Sequence, residues 1–165
     1  MSSFPQARIE TLTEKKLVGQ SVSMSLVNNQ TGALWAKSIP LLKNVTNAVS
    51  SDKYSMQVYP ENYYKPFNPN NTFTKWACVE VSDFDDVPDS LQTFLLEGGV
   101  YAVFDYIGRS TDTSIYQYIF AEWLPKSGYA LDNRPHFEVL GPKYKNDDPS
   151  SEEEIWIPIF KKTLP

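Results

Sequence analysis

Cysteine is nearly absent from this chain. Cys78 is the only one, which excludes an internal disulfide framework and leaves nothing against a reducing compartment. Histidine is as scarce, with His136 alone. One cysteine and one histidine cannot close a zinc set, and the acidic residues lack ligand spacing, so neither metal nor cofactor is expected. Long apolar runs are missing too. None approaches the roughly eighteen residues of a membrane span. Met1–Glu10 holds no apolar stretch of the secretory kind, and the expectation is a cytoplasmic protein away from membranes. Basic clusters are also lacking: lysines stand singly or in pairs such as Lys15–Lys16 and Lys161–Lys162, in a chain of net charge −5. A surface that grips phosphate backbones needs a basic stripe, so direct nucleic-acid binding is disfavoured. There is no glycine-rich phosphate cradle either; Gly98–Gly99 simply opens a strand.

What the chain does have is rings. Aromatic residues make up 14% of the sequence, with ten Tyr, nine Phe and four Trp. Such residues fill cores and also line ligand pockets. The 165 residues, 41% hydrophobic and 21% charged, suit one globular domain over residues 1–165.

Sliding the chain against itself by 81 positions reveals an ordered repeat of residue classes. Leu17–Val27 lies over Gly98–Gly108, Leu34–Trp35 over Ile115–Tyr116, Ile39 over Phe120 and Leu42 over Trp123. Met56–Tyr59 lies over Phe137–Leu140, and with a shift of 80 Trp76 lies over Trp156. The repeat halves span about 8–82 and 97–162.

In the first half, alternation predicts strands over Leu17–Leu26, Tyr54–Tyr59 and Phe73–Val81. Helical spacing predicts a helix over Thr31–Val45, kinked or interrupted by Pro40. Pro60–Asn71 reads as a loop and Asp83–Glu97 as an acidic connector. The second half gives strands over Gly99–Ile107, Phe137–Leu140 and Ile155–Phe160, and a polar loop over Tyr144–Glu154. Its helix covers Asp112–Leu124, capped by Asp112 and stopped by Pro125 and Gly128. Pro158 in the last strand demands a position that needs no ladder donor. The sum is an α+β fold: two strand–helix–strand–strand modules related by a pseudo-twofold axis, an antiparallel sheet, and two helices flanking a central cleft. Residues equivalent by the repeat then meet at the axis, Gln57 with Glu138 and Trp76 with Trp156.

The series GGVYAVFDYIG, IYQYIFAEWLPKSGY, RPHFEVLGP and IWIPI, taken in order, resembles the GyrI-like family, which includes the effector-binding domains of AraC-type regulators such as Rob. The first half matches more loosely through LVGQSV, ALW and YSMQVYP. The resemblance implies a cleft for flat, hydrophobic, often cationic small molecules. It carries the glutamate charge partner of such clefts onto Glu138 in F-E-V, and the closing-strand aromatic onto Trp156. AraC-type regulators usually carry a helix-turn-helix ahead of this module. Here the resemblance starts almost at Met1, so it implies a standalone module without DNA binding. It also admits gyrase inhibitors, drug sequesterers, and hydrolases of strained cyclopropanes in which Glu138 would act as general base or position water. A protein partner, an oligomer or a separate DNA-binding protein is left open.

A carboxylate set between Phe137 and Val139 is costly to bury unless paired, and a ligand cation would relieve that cost. Alternation sets Leu140 on the Glu138 face and Glu154 with Trp156 on the last strand. The helix offers Tyr116, Phe120 and Trp123; the first half offers Gln57, Tyr59, Trp76 and Cys78. Against this stand plainer readings. Glu138 could face outward and pair with a surface lysine, the rings could be core, and Trp123 could be a helix end packed on the sheet. His136 is expected to face away from Glu138, which leaves little for a His136–Cys78 catalytic dyad.

Overall fold

A computed structural model describes residues 4–163. Residues 1–3 and 164–165, where the expected domain begins and ends, lie outside the described residues. The chain runs β1 (Arg8–Leu12), β2 (Lys15–Ser25), α1 (Thr31–Leu42), β3 (Lys53–Val58), β4 (Thr72–Val81), β5 (Gln92–Leu96) and β6 (Gly99–Ile107). A helical segment follows: α2 (Ser114–Tyr118), a π-helical turn over Ile119–Trp123, and α3 (Leu124–Lys126). The chain ends with β7 (Tyr129–Leu131), β8 (His136–Leu140) and β9 (Glu152–Lys161). The strands form one antiparallel sheet in the order β1-β6-β9-β8-β3-β4-β2-β5, and β7 pairs with β9 beyond β8.

Both helical segments pack on one face of this sheet. Val18, Val79 and Val81 meet Leu42, Trp35 and Leu41 under α1. Ala102, Phe104, Ile155 and Ile157 meet Ile115 and Ile119 under α2 and its π-helical turn. The other face carries Tyr54, Met56, Trp76, Cys78, Tyr101, Val103 and Phe137 in a single buried cluster. Leu12 on one edge strand and Leu96 on the other belong to that same cluster, so the sheet curls until its two edges share one core. Rings fill it: Phe137 stacks on Trp156 at 5.2 Å and 17°, with Tyr101 edge-on to both.

At the centre, β3 pairs with β8 so that Met56 stands opposite Phe137. On the outer side of each, Met56 faces Trp76 and Phe137 faces Trp156. One backbone approach is tight. Gly19 on β2 lies opposite Cys78 on β4, and a Cβ there would collide with the Ala77 carbonyl and the Cys78 backbone. Gly19→Ala should therefore cost about 1–3 kcal/mol, as overpacking does, read as a drop in the urea midpoint.

Several elements depart from the sequence-based expectation. Pro40 does not interrupt α1, which continues to Leu42. Proline there leaves the Ala36 carbonyl without its helix donor, but Ala36 is exposed to water and only two helical residues follow. The helix then stops short of Val45, and Ile39 is exposed rather than core-facing. Pro125 does not stop the second helical segment either. It sits in the first turn of α3, where its missing N–H is tolerated, and Gly128, at φ 79°, ends the run. The acidic connector contains β5, and the polar loop ends before Glu152 because Glu152–Glu154 belong to β9. Pro158 does lie past the last β8–β9 pair.

Candidate functional site

On the helix-bearing face, between the cores under α1 and α2, the sheet is polar. Ser55 and Gln57 on β3 stand opposite Glu138 and His136 on β8, and Gln57 also stands opposite Lys75 on β4. Glu138 is 9% exposed, Lys75 and His136 5% each. Gln57 Nε2 donates to Glu138 Oε2 at 3.1 Å. Lys75 Nζ lies 3.9 Å from Glu138 Oε1. Glu153 on β9 reaches the same group of charges: Ile155, two residues on, stands opposite Glu138, so the two carboxylates share a face.

Burial dominates the electrostatics. Desolvation pushes the Glu138 carboxyl above its usual range, with Lys75 and the Tyr116 hydroxyl pulling it back. Desolvation lowers Lys75, and Glu138 and Glu153 counter it. Glu153 is pushed up to about 7 by burial and by the negative Glu138. Burial alone takes His136 down to about 3, so its ring is neutral at physiological pH. Two carboxylates thus share one lysine in a poorly solvated place.

A wall of rings closes over these groups. Tyr59 touches His136 at 4.8 Å, Tyr63 at 4.5 Å and Phe73 at 5.0 Å. From the β3–β4 loop, Tyr64 reaches across to Phe120 on the π-helical turn at 6.2 Å, and Phe120 lies over His136 at 6.2 Å. Tyr116 and Tyr144 are pushed above the usual tyrosine range by burial first, with Glu138 and Glu153 adding to the shift. The loop between β3 and β4 is thus bridged by Tyr64 and Phe120 to the second helical segment over His136, which shares a strand face with Glu138. Among the described residues, one surface cavity of about 270 Å³ lies between α1 and Gln92, with Gln20 and Lys37 in its wall, and another of about 270 Å³ runs beside Tyr59 and Phe73. Glu138 lines neither.

The structure gathers Glu138, Gln57, Tyr59, Tyr116 and Phe120 on one face. Leu140 follows two residues on from Glu138, half-buried at the strand's end. Trp156, Glu154, Trp76 and Cys78 are elsewhere. On β9 and β4 these even-numbered positions point to the opposite face, so Trp156 and Trp76 fill the curled core and Cys78 is sealed beneath Tyr54. Trp156 Nε1 does donate to Glu154 Oε1 at 3.0 Å, as their spacing implied. Trp76 and Trp156 do not meet as ring partners: Trp76 packs on Phe94. Trp123 stands edge-on to Phe104 under the helix, a packing role. His136 shares the Glu138 face, because residues two apart on a strand point the same way. The outward-facing alternative for Glu138 is half met: it does have a lysine, but a buried one.

Lys75, Glu153, His136 and the loop tyrosines escaped the sequence reading. Lys75 left a signal, being the one charge within Phe73–Val79. Tyr63, Tyr64 and Phe67 stand out as rings in a Pro/Asn-rich loop.

Comparison with known proteins bears on the fold and the family. Among curated sequences none matches this one. Similar solved structures include SAV2435 bound to tetraphenylphosphonium, with TM-score 0.70 and 15% identity over 94% of both chains. The C-terminal domain of EcmrR has TM-score 0.70 and 15% identity, over 96% of this chain and 99% of that one. An integron cassette protein of Vibrio cholerae has TM-score 0.64 and 16% identity, over 95% and 97%. At such identities the likeness is one of fold, and the fold is that of the GyrI-like effector-binding domains. The model of the Cass2 family covers residues 8–159, and the chain belongs to that family of integron-associated effector binding proteins.

Proposed function

We propose that the chain binds hydrophobic cations against Glu138, in a space between α1 and α2 that the β3–β4 loop covers and ligand opens. The carrying observation is the unequal charge: among the described residues Glu138 and Glu153 share Lys75 alone, beneath Tyr59, Tyr116 and Phe120. A bound cation offsets the second carboxylate, and rings around it add about 0.5–2 kcal/mol of cation–π attraction. Tetraphenylphosphonium held by SAV2435, on the same fold, supports a ligand of this kind. The two halves, β2–α1–β3–β4 and β6–α2–β8–β9, act in this reading as duplicated modules whose axis passes between Met56 and Phe137, with Gln57 and Glu138 as its polar pair. Residues 1–165 then form one effector-binding domain that sequesters or senses its ligand and makes no direct nucleic-acid contact.

The test is a fluorescence titration of wild type and Glu138→Gln with tetraphenylphosphonium and a neutral tetraphenyl analogue. Loss of one charge-assisted contact weakens cation binding by about 10- to 100-fold and leaves the neutral ligand unchanged. Equal affinities for both ligands, untouched by the substitution, would refute the charge pairing.

A further inference from the structure

Gln57 sits between Lys75 on β4 and His136 on β8. Its Nε2 donates to Glu138, which fixes the amide so that Oε1 turns away from the carboxylate. Oε1 is sealed from solvent and accepts a hydrogen bond from none of the described residues. Flipping the amide does not help, since it would set Oε1 against a carboxylate that can only accept. Lys75 is already drawn to Glu138, and the rings of Tyr59 and Phe120 lie on His136. A buried carbonyl without a donor carries an unmet desolvation cost, and natural structures rarely leave one so. The missing group is a donor, in a place that already has a carboxylate to spare.

We propose that the preferred ligand is a hydrophobic cation bearing an N–H, an arylammonium or amidinium, which donates that N–H to Gln57 Oε1. This rests on the cation-binding reading above and narrows it. A quaternary cation supplies charge but leaves Oε1 orphaned. The ligand class therefore differs in kind from tetraphenylphosphonium, which has no N–H.

The experiment uses two flat cations of similar size, protonated 9-aminoacridine with N–H donors and 10-methylacridinium with none, titrated by fluorescence against the full chain at constant pH. The expected result is about five- to tenfold tighter binding of 9-aminoacridine, as one hydrogen bond supplies. The ratio should fall to about one in Gln57→Met and persist in Gln57→Glu, which keeps an acceptor. Equal wild-type affinities overturn this inference while leaving cation binding intact, and so does a preference that survives in Gln57→Met. Failure of both cations to saturate overturns the cation-binding reading and this inference with it. If Gln57→Met does not fold, the wild-type ratio decides alone.

Discussion

Lys75→Met should lower the unfolding free energy by about 3–5 kcal/mol near neutral pH, the usual cost of stripping one partner from a buried ion pair. The side chains of Lys75 and Glu138 are only 6% and 12% exposed, so water cannot take the lysine's place. Met preserves the bulk of the lysine stem and removes only the charge. Glu138 is then left buried beside Glu153, and one of the two must take up a proton. Lys75→Met combined with Glu138→Gln should recover most of the loss, because a satisfied neutral pair replaces a lone charge. Urea unfolding of the single and double variants measures both effects. A single variant within about 0.5 kcal/mol of wild type would show that the pair is not buried in solution.

Binding of a permanent cation should tighten close to tenfold between pH 6 and pH 8, as release of one proton requires. Glu153 supplies the titration. Its folded value, about 7, lies above the ordinary 4.5, so the protonated form favours the fold. That stabilisation is whole below about pH 4.5 and is lost as pH rises through 7. A bound cation reverses the preference by favouring ionised Glu153, so below pH 7 binding must first expel a proton. Glu138, Lys75, Tyr116 and Tyr144 share its surroundings, while His136, held near 3, stays neutral across this window. Tetraphenylphosphonium is the right probe because it has no proton of its own. Its affinity in Glu153→Gln should be flat with pH, as should that of a neutral arene in wild type. A slope that persists in Glu153→Gln would assign the proton elsewhere.

Much of the fold could be read from local pattern. Alternating residues place β6 to the residue, and the repeat partners Gln57 on β3 with Glu138 on β8, whose side chains do meet. β1, β5 and β7 were missed because short edge strands bury few side chains and leave little alternation to find. The candidate site divides along the same line. Gln57 was matched to Glu138 through the repeat, and Tyr116 and Phe120 through helical spacing. Trp156, Trp76 and Cys78 were placed on the wrong face, because both faces of β4 and β9 are apolar and parity alone cannot say which one carries the helices. Lys75 stands out as a charge in its strand, but its meeting with Glu138 and Glu153 depends on the way β4 and β9 flank the β3–β8 pair, a long-range contact that local sequence does not encode.

The most direct measurement is a crystal structure of the chain with tetraphenylphosphonium. The expected result is phosphonium density within the Glu138–Glu153 group, its phenyl rings against Tyr59 and Tyr116, and the β3–β4 loop moved so that Tyr64 no longer touches Phe120. Density only in the cavity beside Gln20 and Lys37, with Tyr64 still on Phe120 and Glu138 still sealed, would contradict it.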